Sequence, residues 1–310
     1  MISYAQNHED VLLARALADT TSGFYIDVGA YDPTEDSVTR HFYDLGWRGI
    51  NIEPQAKYAA RLRAARPRDV TLQVALSDAP GTATLHHALA GDGLATIDTA
   101  ETGRLRAFGQ LGDEEAVTVT TLAQVCAEHC DEGTPISFLK IDVEGHERPV
   151  LEGADWSRWL PRIVVVEAAE PLTTRPVHQG WEPILVAAGY AAVLFDGVNR
   201  WYAQSDDHRT AQLLSYPPNV LDEYQPHPWV SRVEALQSEV QKLQGLLAAA
   251  ERGASPRVER LARSLESLQR RYQELSDAFD RERAERAVET EHIARLTRAY
   301  EALRDRSAPV

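Results

Sequence analysis

The stretch Phe24-Tyr25-Ile26-Asp27-Val28-Gly29-Ala30-Tyr31-Asp32-Pro33 limits the fold of this chain more than any other. Phe24 to Val28 is apolar, with β-branched residues and one acid, the pattern of a short buried strand. Gly29-Ala30 follows as a small-residue turn. Pro33-Thr34-Glu35-Asp36 predicts a helix start, because the N–H that proline lacks is not needed in a first turn and acids there favour the dipole. Strand, tight turn and helix form the opening unit of a nucleotide-binding α/β sheet. Glycine lets the backbone approach a ligand, and free N–H groups of the helix face its polar atoms.

The next strand, Arg48-Gly49-Ile50-Asn51-Ile52-Glu53-Pro54, ends in an acid about 20 residues beyond the turn, where a carboxylate can accept both ribose hydroxyls of an adenosine cofactor. The glycines do not follow G-x-G-x-x-G, which argues against a pyrophosphate cradle. A cofactor with adenosine and no phosphates, such as S-adenosylmethionine, fits better. The alternative is a generic parallel-sheet turn with a solvated Glu53.

At 310 residues the chain has room for one large α/β domain and an appendage. A net charge of -15 argues against non-specific binding to nucleic acid or to an anionic membrane surface. No apolar run approaches the ~20 residues of a membrane span. The N-terminus carries neither a basic region nor an apolar one of the kind a secretory signal has. Cys126 and Cys130 sit one helical turn apart beside His129, without further ligands at zinc spacing. They are expected to be helix residues of a reduced, cytoplasmic protein.

In order, the pattern predicts a helix with Val11, Leu12, Ala16 and Leu17 on its apolar face, and then the first strand. A helix from Ser37 to Leu45 follows, and after the second strand another from Ala56 to Ala65. Val70 to Leu76 is expected as a third strand, and Thr82 to His86 as an edge strand or hairpin arm. The glycine-interrupted segment 88–116 reads as a long loop and a lid over a site. Val117 to Thr120 resumes as strand, followed by a helix from Leu122 to Cys130. Ile136 to Ile141 is a buried strand that releases Asp142, Glu144 and His146 at its carboxyl end, before a helix from Arg148 to Trp156. Arg162 to Glu167 repeats the apolar strand ending in an acid. A helix from Trp181 to Ala188 precedes a hairpin of Tyr190–Phe195 with Trp201–Ala203. The expected fold is α/β, a mixed sheet of roughly seven strands with helices on both faces. Ligands of such sheets bind at the carboxyl ends of the strands, so Gly29, Glu53, Asp142, Glu144 and His146 point at one crevice.

The globular pattern ends at Tyr216-Pro217-Pro218, and Pro226 and Pro228 mark a linker. A domain over 1–225 and a helical region over 226–310 are expected. Apolar residues step by three and four from Val233 to Leu247 and again from Val258 to Leu303, out of heptad register across a break near 253–256. This spacing predicts a coiled coil of two helices; the alternative is a helical hairpin folded back on the domain.

Ser3–Asp10, Tyr25–Ala30, Asn51–Pro54, Val74–Asp78 and Leu139–Glu147 together resemble the FkbM family of S-adenosylmethionine-dependent methyltransferases, and Val165–Ala168 and Phe195–Arg200 extend the match. The resemblance implies a class I methyltransferase (Rossmann-like) fold, with S-adenosylmethionine as cofactor and O-methylation of a hydroxyl on a sugar or a polyketide. By position, Gly29 and Ala30 would face the methionine portion and Glu53 the ribose, with Ala75, Leu76 and Ser77 near the adenine. Gln6 and Asp27, inside the matching segments, and Tyr31, just after one, complete the cofactor-binding set. At Tyr31-Asp32-Pro33 the chain departs from the further glycine that many class I enzymes carry there.

Methyl transfer to a hydroxyl needs a base or a metal beside the acceptor. His146 is the candidate base because its ordinary pKa lies near neutrality; its alternative role is decoration of a helix N-terminus. Asp142 or Glu144 would serve instead as base or orient the acceptor. Asp142 and Glu167, at adjacent strand ends, would suit a magnesium-type ion. Tyr4, Asp196, Asn199 and Arg200 are candidates for the acceptor pocket, unless Arg200 pairs with a surface acid. Three functions follow. The first is an O-methyltransferase of a sugar or glycan, its tail driving self-association or docking to a partner protein. The others are an O-methyltransferase of a polyketide-type product and a non-catalytic scaffold.

Overall fold

The computed structural model describes residues 1–170, 175–250, 263–274 and 277–278. The chain divides into two compact units, Tyr4–Pro218 and a second formed by Met1–Ser3 with the chain from Asn219 onward.

The strands in chain order are β1 (Ile2–Ser3), β2 (Phe24–Val28), β3 (Arg48–Ile52), β4 (Val70–Leu72), β5 (Ala75–Leu76), β6 (Gly81–Ala88), β7 (Leu111–Thr120), β8 (Phe138–Ile141), β9 (Ile163–Glu167), β10 (Tyr190–Phe195), β11 (Asn199–Gln204) and β12 (Gln225–Pro226). The Tyr4–Pro218 unit is built on a seven-stranded sheet in the order β10-β11-β9-β8-β2-β3-β4. The run from β9 to β4 is parallel, and β11 enters antiparallel to both β9 and β10. From β2 the chain builds outward through β3 and β4, then returns to place β8 on the other side of β2. The switch point, and with it the ligand crevice, therefore lies at the carboxyl ends of β2 and β8.

Both faces of the sheet are covered, which is why its central strands read as near-continuous apolar runs. On one face Ile26, Val28, Ile50, Ile52, Leu139, Ile141, Val164 and Val166 pack with Leu122, Val125, Val150, Leu151 and Leu185. These come from the helices Leu122–His129, Glu147–Glu152 and Glu182–Ala187. On the other, Tyr25, Phe138, Ile163, Val165 and Trp201 pack with Leu12, Leu13, Phe42 and Leu214. Those helices are Glu9–Ala16, Arg40–Asp44 and His208–Leu214, the last without a counterpart in the sequence reading.

Three expectations need correction. Residues 33–39 are not the first turns of a helix, which begins only at Arg40. The cause is Arg66, fully buried, whose guanidinium donates to Pro33 O, Ser37 Oγ and Thr39 Oγ1. Asp32 Oδ1 accepts from the N–H groups of Thr34 and Glu35, a local turn that competes with helix. The expected third strand is two: β4 belongs to the large sheet, while β5 pairs in parallel with β7. Segment 88–116 is not a structureless loop. It carries a 3₁₀ turn at Asp92–Leu94, a helix Thr99–Ala107 capped by Asp98, and the first half of β7, which pairs antiparallel with β6.

In the other unit β1 pairs in parallel with β12, and a helix runs from His227 to Ala250. A second helical stretch covers 263–274, and Gln237 Nε2 donates to Tyr272 Oη at 2.6 Å, so these two stretches meet each other within the chain. Leu236, Leu265 and Leu268 are buried. The break at 253–256 and the run beyond residue 278 lie outside the described residues, as does most of the expected coiled coil. No helix among the described residues is long and apolar enough to cross a membrane.

Candidate functional site

A cavity of about 450 Å³ opens at the switch point, in the size range of small-molecule sites. Gln6, Asp27, Gly29, Ala30, Tyr31, Glu53, Ala75, Leu76, Asp142, Glu144 and His146 all line it. Of the residues singled out from sequence, Ser77 and Glu167 do not, nor do Tyr4, Asp196, Asn199 and Arg200, expected at the acceptor pocket.

Gly29 holds the turn after β2. Its φ is +76°, and a Cβ there would lie 1.8 Å from the carbonyl oxygen of Asp142, so the two strand ends approach too closely for any side chain. The N–H groups of the turn are taken up within the protein. Gly29 N and Ala30 N donate to Ile52 O at 2.9 and 3.1 Å, and Tyr31 N donates to Glu53 Oε2 at 2.9 Å. Glu53 Oε1 accepts from Gln55 N at 2.8 Å, which anchors both carboxylate oxygens. Burial pushes Glu53 up to about 7, against the lowering effect of those two N–H donors.

The roof is the segment Ala90–Ile97. Its Asp92 accepts from Lys57 Nζ at 2.8 Å and Tyr58 Oη at 2.7 Å, while Gln55 Nε2 donates to Asp92 O at 2.9 Å. Thr96 Oγ1 donates to Glu144 O at 2.8 Å. Tyr31, at a φ of +50°, lays its ring against that of Tyr58, with centroids 4.2 Å apart. Leu85, Ile97, Ala75 and Leu76 give the cavity an apolar part, Ala75, Leu85 and Ile97 belonging to one packed cluster.

The turn after β8 is folded on Glu147, whose Oε1 accepts from Val143 N and Gly145 N at 3.2 and 3.0 Å. This allows Glu144 a φ of +52° and releases Asp142, Glu144 and His146 together. Carboxylate oxygens of Asp142, Glu144 and Glu167 all lie within 4.8 Å of one another. Burial, and then the charges of Asp142, Glu147 and Glu101, push Glu144 up to about 9. Burial also holds Glu167 well above the usual range, reinforced by Asp142, Glu144 and Glu147.

His146 Nε2 lies 3.0 Å from Ser77 Oγ, which donates to Asp78 Oδ1 at 3.0 Å. With the hydroxyl proton so placed, Nε2 is the donor toward Ser77 and Nδ1 the bare acceptor, 3.9 Å from Asp98 Oδ2 and beyond hydrogen-bond reach. Burial lowers the imidazole, which keeps it neutral. Its Nε2 is thus taken up by Ser77, a residue outside the cavity lining.

Sequence reasoning missed Glu9, Asp36 and Lys140, all of which line the cavity. Glu9 is buried, with Oε1 accepting from Asn199 Nδ2 at 2.8 Å and Oε2 from Asn7 N at 3.0 Å. Burial pushes it up to about 7. Asp196 and Asn199 thus act behind Glu9 rather than in the cavity, and Arg200 pairs with Glu182 at 2.9 Å. A lysine inside the apolar strand Phe138-Leu139-Lys140-Ile141 was the available signal for Lys140, since lysine is almost never fully buried without partners.

A family model for the methyltransferase FkbM domain matches residues 27–192, more than half of the chain, and the chain belongs to this family. Over 125 residues it is 35% identical to methyltransferase sdnD of Sordaria araneosa, a match covering 34% of this chain and 48% of that protein. The chain thus spans about half the length of that curated relative. Among solved structures it is similar to a TehB-like SAM-dependent methyltransferase from Corynebacterium glutamicum ATCC 13032. That match has 9% identity and a TM-score of 0.34, over 63% of this chain and 87% of the other.

Proposed function

We propose that the protein is an S-adenosylmethionine-dependent O-methyltransferase acting on a hydroxyl of a sugar or glycan. The observation that carries this reading is the cavity at the switch point, bounded by the Gly29 turn, buried Glu53, and the carboxyl groups of Asp142 and Glu144. Glu53 would accept the ribose hydroxyls through the lone pairs its two N–H donors leave, Ala75 and Leu76 would flank the adenine, and Gly29 and Ala30 would face the methionine portion. The donor supplies an electrophilic methyl group on a sulfonium: a C–O bond forms, the S–C bond breaks with its electron pair left on sulfur, and the hydroxyl gives up its proton. Asp142, paired with Lys140 at 3.2 Å, would take that proton. His146, turned toward Ser77, is the weaker candidate.

Several acids at the acceptor end, Glu9, Asp36, Asp142 and Glu144, supply the acceptors that a molecule with neighbouring hydroxyl groups needs. This favours a sugar over a largely apolar polyketide, which remains the alternative, and a scaffold would have no use for such a set. The helical region from His227 onward would serve self-association or docking, and the enzyme would work in the cytoplasm. The test is incubation with methyl-labelled donor and separate panels of neutral glycans and hydroxylated polyketides, with products located by NMR. A new methoxy group on a sugar supports the reading; label only on polyketides or on nitrogen overturns it.

A second reading adds a divalent cation, because Asp142, Glu144 and Glu167 bring hard oxygen donors within 4.8 Å of one another. These three carboxyls would hold the ion, which would supply polarisation of the acceptor hydroxyl. Loss of methyl transfer on chelation, restored by magnesium, supports it; chelator-insensitive turnover sinks it.

A further inference from the structure

Lys140 sits on β8 at the floor of the cavity with its side chain only 10% exposed. Its ammonium donates to Gly29 O at 3.0 Å and lies 3.2 Å from Asp142 Oδ2 and 3.7 Å from Asp27 Oδ1. Burial alone would lower the ammonium, but the adjacent Asp142 and Asp27 outweigh it and keep it charged. It is the one lysine or arginine among the residues lining the cavity.

The contacts divide the Gly29 turn into two fastened sides. Its N–H groups are spent on Ile52 O, at the end of β3. Its carbonyl faces β8, where Lys140 is its hydrogen-bond donor. Because Gly29 and the Asp142 backbone are in direct van der Waals contact, the same ammonium reaches the turn and the Asp142 carboxylate at once. Remove it, and the Gly29 carbonyl and the Asp142 carboxylate lose a partner together, while Asp27 loses the cation 3.7 Å from its Oδ1 and keeps only the Thr39 hydroxyl on Oδ2.

We infer that Lys140 is a positioning residue that ties the methyl-donor turn to the acceptor-side carboxylate of Asp142, so that donor binding and the orientation of Asp142 depend on one ammonium. This rests on the donor reading above. It requires a single donor group on a flexible stem that points between two acceptors; arginine restores the charge but not that geometry.

The experiment is calorimetric titration with S-adenosylhomocysteine of the full-length wild type, Lys140→Met, Lys140→Arg, Asp142→Asn and the Lys140→Met/Asp142→Asn double variant, each checked for cooperative unfolding. Lys140→Met is expected to weaken binding at least tenfold, and the double variant to be no weaker than Lys140→Met alone, the signature of two groups acting as a unit. Lys140→Arg is expected to melt near the wild type yet bind several-fold more weakly. Should Lys140→Met fail to fold, Lys140→Arg carries the test by itself. Wild-type affinity in Lys140→Arg or Lys140→Met, or single effects that simply multiply in the double variant, overturns the inference alone. A wild type that does not bind S-adenosylhomocysteine overturns the donor reading and the inference with it.

Discussion

Replacing Glu53 by glutamine separates its cost to the fold from its use to a ligand. Burial raises this carboxyl from 4.5 to about 7. At ~1.4 kcal/mol per pKa unit, the ionised form therefore costs the folded state about 3 kcal/mol. The sign follows from linkage. The folded protein holds the Glu53 proton more tightly than the unfolded chain, so the stabilisation is complete below pH 4.5 and is lost as pH rises through about 7. Glutamine has no such loss. It pays a pH-independent penalty instead, because its one carbonyl oxygen can serve only one of the two N–H donors, from Tyr31 and Gln55, at about 1–3 kcal/mol. Glu53→Gln should therefore melt below the wild type at pH 5 and gain on it by about 2–3 kcal/mol at pH 8.5. For a domain of this size the gain is about 4–12 °C. Thermal unfolding of both proteins at pH 5, 7 and 8.5 checks it. A difference that stays constant with pH, or moves against the variant as pH rises, refutes the assignment of Glu53 as a buried, strained acid.

Gly29→Ala should cost at least about 2 kcal/mol, from the left-handed backbone and a Cβ driven into the Asp142 carbonyl, and should appear as a lowered melting temperature with donor binding lost. Arg66→Met should destabilise by about 3–5 kcal/mol, since it strips the buried donors from Pro33 O, Ser37 Oγ and Thr39 Oγ1; urea unfolding reads it, and a loss under 1 kcal/mol would contradict the reading. The wild type should itself lose stability between pH 5 and 9, as Glu9, Glu53 and Glu147 (each about 7) and then Glu144 (about 9) ionise in the fold. A melting temperature that climbs over this range would show that these acids are not held protonated.

The sheet was legible in the sequence because its signal is local: runs such as Ile163–Val166 are apolar on both faces, and each is punctuated by its own turn. The convergence of Gly29, Glu53, Asp142, Glu144 and His146 was legible for the same reason, since all lie at carboxyl ends of such strands. What escaped depends on partners far away in the chain. Nothing near Ser37 announces that Arg66 will take up its hydroxyl, and so prevent a helix. Nothing in 88–116 announces the register of β7 on β6. Lys140 was visible as an anomaly in an apolar strand, but its partners at Gly29 and Asp27 come from a strand more than a hundred residues earlier. His146 was legible as a cavity residue, but its contact with Ser77, a partner about seventy residues earlier, was not.

The most direct measurement is thermal unfolding of the wild-type protein with and without S-adenosylhomocysteine. Ligand at one hundred times its dissociation constant stabilises the native state by about 2.7 kcal/mol, which for this domain is a rise of roughly 5–11 °C. That rise, absent in Glu53→Ala, is the result expected of a donor seated between Glu53 and the Gly29 turn. An unchanged melting temperature at millimolar ligand would contradict it.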